Sequence, residues 1–279
     1  MLNYIRKKIQ KRKLKKTFNE FKYEVKKFNL ADHKTVEYAQ WLHPFEKPKD
    51  VTDSKINFYR KISNTGGVII DIGAHTGDTS VPMALAVGKE GLVIALEPNP
   101  YVFKILEKNA SFNQDLTRIE AYCFAATEKD GNFTFNYSDA SFCNGGFLSR
   151  IDANKHRHNY ELEVKGKNLL NFLDQNYSND LKRLDLVKVD AEGYDKEILK
   201  SISSLLEKYK PNLMVECYKR LNQEERFDLF DSMDSLGYEI YRLENFEVSG
   251  DRVKLEKQNM LDEKHFEMLA IHQEKVQEF

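Results

Sequence analysis

The sequence has few of the features that mark secreted or membrane-spanning proteins. No apolar run approaches the ~20 residues that a membrane-spanning helix requires, and the first residues show no apolar segment typical of a secretion signal. The three cysteines, Cys123, Cys143 and Cys217, are odd in number and widely spaced, which argues against a disulfide framework and a paired zinc motif. We therefore expect a protein of the reducing cytoplasm.

The composition argues against a wholly disordered chain. Of the 279 residues, 41% are hydrophobic and 12% are aromatic, which is enough apolar material for a packed core. This length fits one α/β domain with additions.

The formal net charge of −1 conceals a strong asymmetry. Residues 1–30 hold 11 Lys or Arg and 2 Asp or Glu, a balance of +9, so the other 249 residues hold 32 basic and 42 acidic residues, a balance of −10. A basic segment is therefore attached to an acidic body, and the overall charge says little about partners.

The basic segment 1–30 has apolar residues at steps of three to five, which predicts one charged helix. They are Leu2, Ile5, Ile9, Leu14, Phe18, Phe21, Val25 and Phe28. The favoured interpretation is a solvated helix that packs one stripe on the body. A peripheral anchor on the anionic inner membrane surface is the second. Nucleic-acid binding is not favoured because no known motif accompanies the charges.

Residues 31–65 form a polar connector with a short predicted helix around Ile56, Tyr59 and Ile62. From residue 68 onward, β-branched runs alternate with helical patterns, which predicts a parallel sheet with helices on both faces. Strands are predicted at 68–71, 92–97, 119–125, 184–190, 213–217, 238–243 and 266–272. Helices are predicted at 79–87, 101–112, 196–206 and 224–236. Short strands and loops at 126–180 interrupt this alternation and are a candidate substrate-binding insertion.

The first chemical motif runs from Asp71 to Asp78 and includes Gly73 and Gly77. It follows a strand and precedes a helix, where glycines let the backbone approach a ligand and free N–H groups are available. The four-residue glycine spacing is neither the dinucleotide fingerprint nor a phosphate loop. A tight structural turn is the alternative.

Carboxylates end two further strands. Glu97 ends the second strand, twenty residues after Gly77, where a carboxylate can accept hydrogen bonds from both ribose hydroxyls. Asp190 and Glu192 end the fourth strand, in Lys188-Val189-Asp190-Ala191-Glu192-Gly193, and would face the same crevice. Helix N-capping is the alternative role for this second pair.

Together these segments resemble the FkbM family of S-adenosylmethionine-dependent methyltransferases. The resemblance covers residues 68–217, mainly 68–80, 92–113 and 184–199, with the Glu97-Pro98-Asn99-Pro100 segment as a specific part. It implies a Rossmann-like class I methyltransferase sheet of seven mostly parallel strands, the last antiparallel. The residue pattern adds a helical N-terminal extension, which has no family signature. Residues 1–65 would then be a basic helix and helical connector, and 66–279 the catalytic domain with its insertion at 126–180.

The resemblance also implies cofactor contacts. Asp71, Gly73 and Gly77 would hold the methionine end of S-adenosylmethionine, and Glu97 the ribose. Asn99, Phe124 and Ala125 would lie near ribose and adenine. The predicted cofactor site is completed by His75, Asp78, Thr79 and Pro98. His75 stands where the family more often has Asn, and its own role is open.

The implied reaction is O-methylation of a sugar, glycan or related metabolite. The Asn/Asp-Pro-Pro-Tyr/Phe motif of amine methyltransferases is absent after the fourth strand, which favours oxygen as the acceptor atom. An alcohol is a weak nucleophile, so a base or a metal is expected. The candidate bases are Asp190, Glu192, Glu216 and His158. A magnesium site at Asp190 and Glu216 is an alternative that we do not favour.

Two other classes of protein compete with this interpretation. One is a non-catalytic module that binds an adenosyl cofactor or nucleotide and recruits partners through its basic segment. The other is a nicotinamide-dependent oxidoreductase, which the glycine spacing disfavours.

Overall fold

The computed structural model describes residues 17–32, 34–143, 160–243 and 253–278. Its centre is a mostly parallel sheet with helices on both faces, as the sequence predicts. In the described part of the chain, no helix is both long and apolar enough to cross a membrane.

Among the described residues, the central sheet has eight strands: β3 (Val68–Ile72), β4 (Leu92–Leu96), β5 (Ile119–Tyr122), β9 (Leu184–Val189), β10 (Asn212–Cys217), β11 (Tyr238–Leu243), β12 (Val253–Lys254) and β13 (Phe266–His272). Their order in the sheet is β12-β11-β13-β10-β9-β3-β4-β5. Strands β10, β9, β3, β4 and β5 are parallel, and β13 runs antiparallel between β10 and β11. The two-residue β12 is added to the seven predicted strands.

Alternating side chains of the buried strands feed two apolar layers. In β3, Val68 and Ile70 pack on one face of the sheet, while Ile69 packs on the other. The helices that cover the two faces are α1 (Asp53–Ile62), α2 (Ser80–Val87), α3 (Pro100–Ser111), α4 (Leu169–Tyr177), α5 (Asp195–Ser201), α6 (Ser203–Tyr209) and α7 (Gln223–Asp234). Three short 3₁₀ turns occupy Asp180–Arg183, Lys257–Leu261 and Gln273–Glu278.

The inserted region forms a small sheet of its own, in the order β6-β8-β7. Its strands are β6 (Ala125–Thr127), β7 (Gly131–Tyr137) and β8 (Tyr160–Asn168). The strand predicted at 119–125 is confirmed only as far as Tyr122, and its extension to 125 is wrong, because the chain leaves the main sheet there and pairs with β8 instead. The helix α4 was not predicted, and the helix predicted at 196–206 is broken at Ile202.

The predicted helix over residues 1–30 is wrong where the structure describes it. Residues Tyr23–Asn29 form β1, which pairs antiparallel with β2 (Thr35–Trp41). Residues 1–16 lie outside the described part of the chain. The apolar spacing in 17–30 reflects packing of a hairpin, because Phe21 and Phe28 lie against the body while Val25 stays exposed.

Two asparagines attach this hairpin to the body. Asn109 Oδ1 accepts a hydrogen bond from the Ala39 N–H at 2.6 Å, and Asn109 Nδ2 donates to the carbonyls of Ala39 and Thr76. One turn further on, Asn113 makes the same pair of bonds with the backbone of Glu37. These amides satisfy the edge of β2 that faces away from β1, so β2 needs no second strand.

We expect Asn109→Ala to lower the free energy of unfolding by about 2–4 kcal/mol, because it leaves the buried N–H and carbonyl of Ala39 without their partner and removes one donor from the Thr76 carbonyl. Urea unfolding of the full chain measures this. Asn176→Ala, at an exposed asparagine of α4, should change stability by less than about 0.5 kcal/mol. Equal stability of the two variants would show that the asparagine link does not hold the hairpin.

Candidate functional site

The carboxyl ends of β3, β4 and β9 are joined by main-chain hydrogen bonds. The N–H groups of Gly73 and Ala74 both donate to the Leu96 carbonyl, and the Asp190 N–H donates to the Ile72 carbonyl. Gly73 has φ +78°, and a Cβ at this position would lie 1.9 Å from the Asp190 carbonyl oxygen. Only glycine fits there, which brings the three predicted motifs to one place.

A cavity of about 390 Å³ opens at these strand ends. Its volume lies in the range of small-molecule sites. Eleven residues predicted from sequence line it: Gly73, His75, Asp78, Thr79, Glu97, Pro98, Asn99, Phe124, Ala125, Asp190 and Glu192.

Glu97 is held in place by the backbone. Its Oε1 accepts from the Asn99 N–H at 2.8 Å, and its Oε2 accepts from the His75 N–H at 3.0 Å. Burial raises the pKa of the Glu97 carboxyl. A carboxylate has about four acceptor positions, so two remain after these bonds and can receive a pair of hydroxyls.

The wall beside Glu97 is apolar. Phe124 and Ala125, at the crossing from β5 to β6, are buried and line the cavity together with Pro98. Asn99 caps α3 by accepting from the Tyr101 N–H at 3.0 Å, and it donates through Nδ2 to the Phe142 carbonyl. The Asn99 side chain therefore links the start of α3 to the backbone at Phe142.

Asp71 and Gly77 lie behind the cavity wall and do not line it. Asp71 is fully buried and accepts hydrogen bonds from Thr79 Oγ1 and Ser80 Oγ at the start of α2. Gly77 has φ +90° and packs against Leu106 of α3. Asp71 bonds within the protein, and Gly77 allows close packing against α3, so both residues shape the turn between β3 and α2.

Lys188 links two of the predicted carboxylates and had no sequence signal of its own. Its Nζ lies 3.4 Å from Asp71 Oδ1 and 3.2 Å from Asp190 Oδ2. Burial opposes the charged form, but the negative charges of Asp190 and Asp71 outweigh it and raise the pKa of Lys188 well above its usual range. Asp190 itself is partly exposed at the cavity surface.

The candidate base Glu216 lies near Asp190 but does not line the cavity. Burial, followed by the charges of Asp190 and Glu192, raises the pKa of the Glu216 carboxyl to about 10, so it is protonated at neutral pH. Its Oε1 lies 3.3 Å from His265 Nδ1. Burial and Asp190 also raise the pKa of Glu192, which bonds to Tyr218.

The fourth candidate base, His158, lies outside the described residues. Among the residues that the structure describes, no group of three or more His, Cys, Asp or Glu side chains is arranged to hold a metal ion.

Three charged residues of the connector, Glu46, Lys47 and Lys49, line the cavity and were missed by sequence reasoning. Lys49 Nζ lies 2.8 Å from Asp78 Oδ2 and 3.3 Å from Glu46 Oε1. Glu46 Oε2 lies 4.0 Å from His75 Nε2. Glu46 and Lys49 follow Pro44 in a segment without helix or strand, so no periodicity marks them.

The strand order and the antiparallel β13 define a class I S-adenosylmethionine-dependent methyltransferase fold. Residues 71–240 match the Methyltransferase FkbM domain family, and the chain belongs to that family.

Relatives and solved structures of the same kind are similar at low identity. The methyltransferase sdnD of Sordaria araneosa is 23% identical over 199 residues, which are 62% of this chain and 74% of that protein. The methyltransferase FkbM of Methylobacillus flagellatus KT has 13% identity and a TM-score of 0.45 over 78% of this chain. This chain covers half of that structure's length. An O-methyltransferase of Bacillus cereus solved with S-adenosylhomocysteine has 13% identity and a TM-score of 0.44, over 81% of this chain and 84% of that one.

The cofactor of the protein is S-adenosylmethionine, and the residues around the cavity fit it. Glu97 offers free acceptor positions for the ribose hydroxyls, and Phe124 with Ala125 offers an apolar surface for adenine. The donor set thus matches the nucleoside part of the cofactor.

We expect Glu97→Ala to weaken S-adenosylhomocysteine binding by at least about 1.5 kcal/mol, or about tenfold, because the ribose loses charged acceptors. Calorimetric titration measures this, and Glu107→Ala on the exposed side of α3 is the control. An unchanged affinity in Glu97→Ala would refute the ribose assignment, provided that thermal unfolding shows the variant is folded.

Glu216 should make stability depend on pH. The folded carboxyl holds its proton up to about pH 10, whereas the unfolded one ionises near its ordinary pKa of 4.5. The folded state therefore binds more protons between these values, and this contribution to stability falls as pH rises. Glu216→Gln mimics the protonated form and should gain stability relative to the native chain from pH 5 to pH 9. Urea unfolding measures the stability of both proteins at pH 5 and at pH 9. The same difference in stability between them at the two pH values would contradict the assignment.

Proposed function

We propose that the protein is an S-adenosylmethionine-dependent O-methyltransferase that acts on a hydroxyl of a sugar, glycan or related metabolite. The observation that carries the proposal is the Asp190 carboxylate, which is partly exposed on the cavity at the end of β9 and paired with Lys188. It is a hydrogen-bond acceptor beside the cofactor site, and an alcohol that attacks a methyl group must give up a proton to such an acceptor.

The segment after β9 supports oxygen rather than a planar amine as the acceptor atom. It reads Asp190-Ala191-Glu192-Gly193, without the prolines of the amine-methylating motif. Glu192 has φ +53° and Gly193 has φ +103°, so the chain turns sharply there and places both carboxylates at the cavity. Such a pair suits a polyhydroxyl acceptor, because each carboxylate accepts hydrogen bonds from hydroxyl groups.

The environments of the carboxyl groups separate their roles. Asp190 has Lys188 beside it and reaches the cavity, which suits a general base. Glu216 is buried and carries a proton at neutral pH, so it does not take one from the acceptor. We assign Glu216 a supporting role behind Asp190 and keep Glu192 as a contact for the acceptor.

When bound, the cofactor supplies an activated methyl group on its sulfonium. The work of the protein is to align the acceptor, exclude water and remove one proton. Alignment of reacting groups contributes up to ~7–11 kcal/mol in the best cases, and a positioned base contributes about 10²–10⁴-fold.

The inserted region 126–180 is the element that we assign to acceptor binding. Phe135 and Tyr137 of β7 line the cavity opposite the strand ends, and Cys143 follows them. These aromatic side chains offer an apolar surface, and the carboxylates offer hydrogen-bond acceptors. The two together suit a sugar ring, which has both apolar and hydroxyl surfaces. Residues 144–159 of this region, which include the candidate base His158, lie outside the described residues.

We expect Asp190→Asn to lower turnover by about 10²–10⁴-fold while S-adenosylhomocysteine affinity stays within about threefold, because only the proton acceptor is lost. The assay is methyl transfer from S-adenosylmethionine to a panel of sugars, nucleotide sugars and glycans, read by released S-adenosylhomocysteine. Asp174→Asn, on the exposed face of α4, is the matched control.

The panel also separates the competing functions. Unchanged turnover in Asp190→Asn would remove Asp190 as the base. Transfer to amines but not to hydroxyls would refute O-methylation. Cofactor binding without transfer to any acceptor would favour the non-catalytic binding module.

A further inference from the structure

The connector between β2 and α1 lies before the matched family domain, yet it forms part of the cavity wall. Glu46 and Lys49 line the same cavity as Glu97 and Asp190. The family match begins only at residue 71, so these two residues lie outside it. Their charges need an explanation that the nucleoside contacts do not provide.

The Glu46 carboxylate is nearly buried and only partly compensated by its neighbours. Its side chain is 7% exposed, and its Oε1 has no hydrogen-bond partner in the described part of the chain. Lys49 Nζ stands 3.3 Å from it as an ion-pair contact, and His75 Nε2 is 4.0 Å from Oε2. A buried carboxylate costs free energy unless donors surround it, so this group is arranged for a donor that arrives from the cavity.

Lys49 is oriented by its neighbours. Its ammonium pairs with Asp78 Oδ2 at 2.8 Å, just before α2. Burial opposes the charged form, but Asp78 and Glu46 outweigh it and raise the pKa of Lys49. An ammonium has three donors, so Lys49 keeps capacity for a further acceptor in the cavity.

The connector is held in a fixed conformation. The Lys49 N–H donates to Gln40 Oε1 at 2.6 Å, and the Phe45 N–H donates to His43 Nδ1 at 3.1 Å. Both acceptors belong to buried residues at the end of β2. The two charges are therefore placed before a ligand binds, which lowers the entropy cost of binding.

The order of groups along the cavity matches the order of parts in the cofactor. His75 connects the two regions, because its N–H donates to Glu97 while its imidazole lies beside Glu46. The apolar Phe124 wall lies on the other side of Glu97, at the junction of β5 and β6. Adenine, ribose and amino-acid end would thus follow Phe124, Glu97 and the connector in turn.

We infer that Glu46 binds the α-ammonium and Lys49 the α-carboxylate of the amino-acid end of S-adenosylmethionine. This inference rests on the cofactor assigned above. It gives the connector a binding role in place of the one that the resemblance implies for Asp71 and Gly77. The opposite charges match a zwitterion, and each forms a charge-assisted hydrogen bond.

The test compares two probes on the full chain by calorimetric titration. S-adenosylhomocysteine has the amino-acid end, and 5′-methylthioadenosine is a nucleoside thioether that lacks it. We expect Glu46→Gln and Lys49→Met each to weaken S-adenosylhomocysteine binding about tenfold or more, and to change 5′-methylthioadenosine binding by less than about twofold. Glu24→Gln and Lys61→Met, at exposed positions, are the matched controls and should leave both affinities unchanged.

The outcomes distinguish this inference from the proposed function. Full S-adenosylhomocysteine affinity in both variants would overturn the inference alone. Equal losses for both probes would also overturn it, because they would indicate a structural role for the connector. If the native chain bound neither probe, the cofactor assignment, and the proposed function with it, would fail.

Discussion

The site depends on the close contact between the turn after β3 and the end of β9. Gly73 meets the Asp190 carbonyl where no side chain has room, and the Leu96 carbonyl receives two N–H donors from the same turn. These bonds continue the sheet for one step beyond its regular strands. As a consequence, one cavity is lined by His75, by Glu97, which lies 22 positions later in the sequence, and by Asp190, which lies a further 93 positions on.

Much of this arrangement was predictable because buried parallel strands have a clear sequence pattern. Strands β4 and β9 are short and mostly apolar, each is followed directly by a carboxylate, and the carboxyl ends of parallel strands share one edge. Glu97 and Asp190 could therefore be placed together without a structure. The strand bounds agree with those predicted to within one residue, except where the chain leaves the sheet after Tyr122.

The N-terminal part was not predictable for a physical reason. The hairpin β1–β2 is stabilised by partners distant in sequence, namely the amides of Asn109 and Asn113, and its first strand is largely exposed and basic. Local spacing of Phe21, Val25 and Phe28 then resembles a helix. Likewise, nothing near Glu46 in sequence indicates that Asp78 and His75 will lie beside it. Non-local contacts override local propensity in both cases.

The distribution of charge separates binding from chemistry. Carboxyl groups that contact backbone N–H groups or a lysine at the cavity, such as Glu97 and Asp190, have partners that stabilise negative charge. Burial, followed by the negative charges of Asp190 and Glu192, raises the pKa of Glu216 behind them, so this carboxyl keeps its proton. A second negative charge there would repel the Asp190 carboxylate. The protonated state of Glu216 thus spares Asp190 this repulsion, and Asp190 combines a cation beside it with access to the cavity at the end of β9.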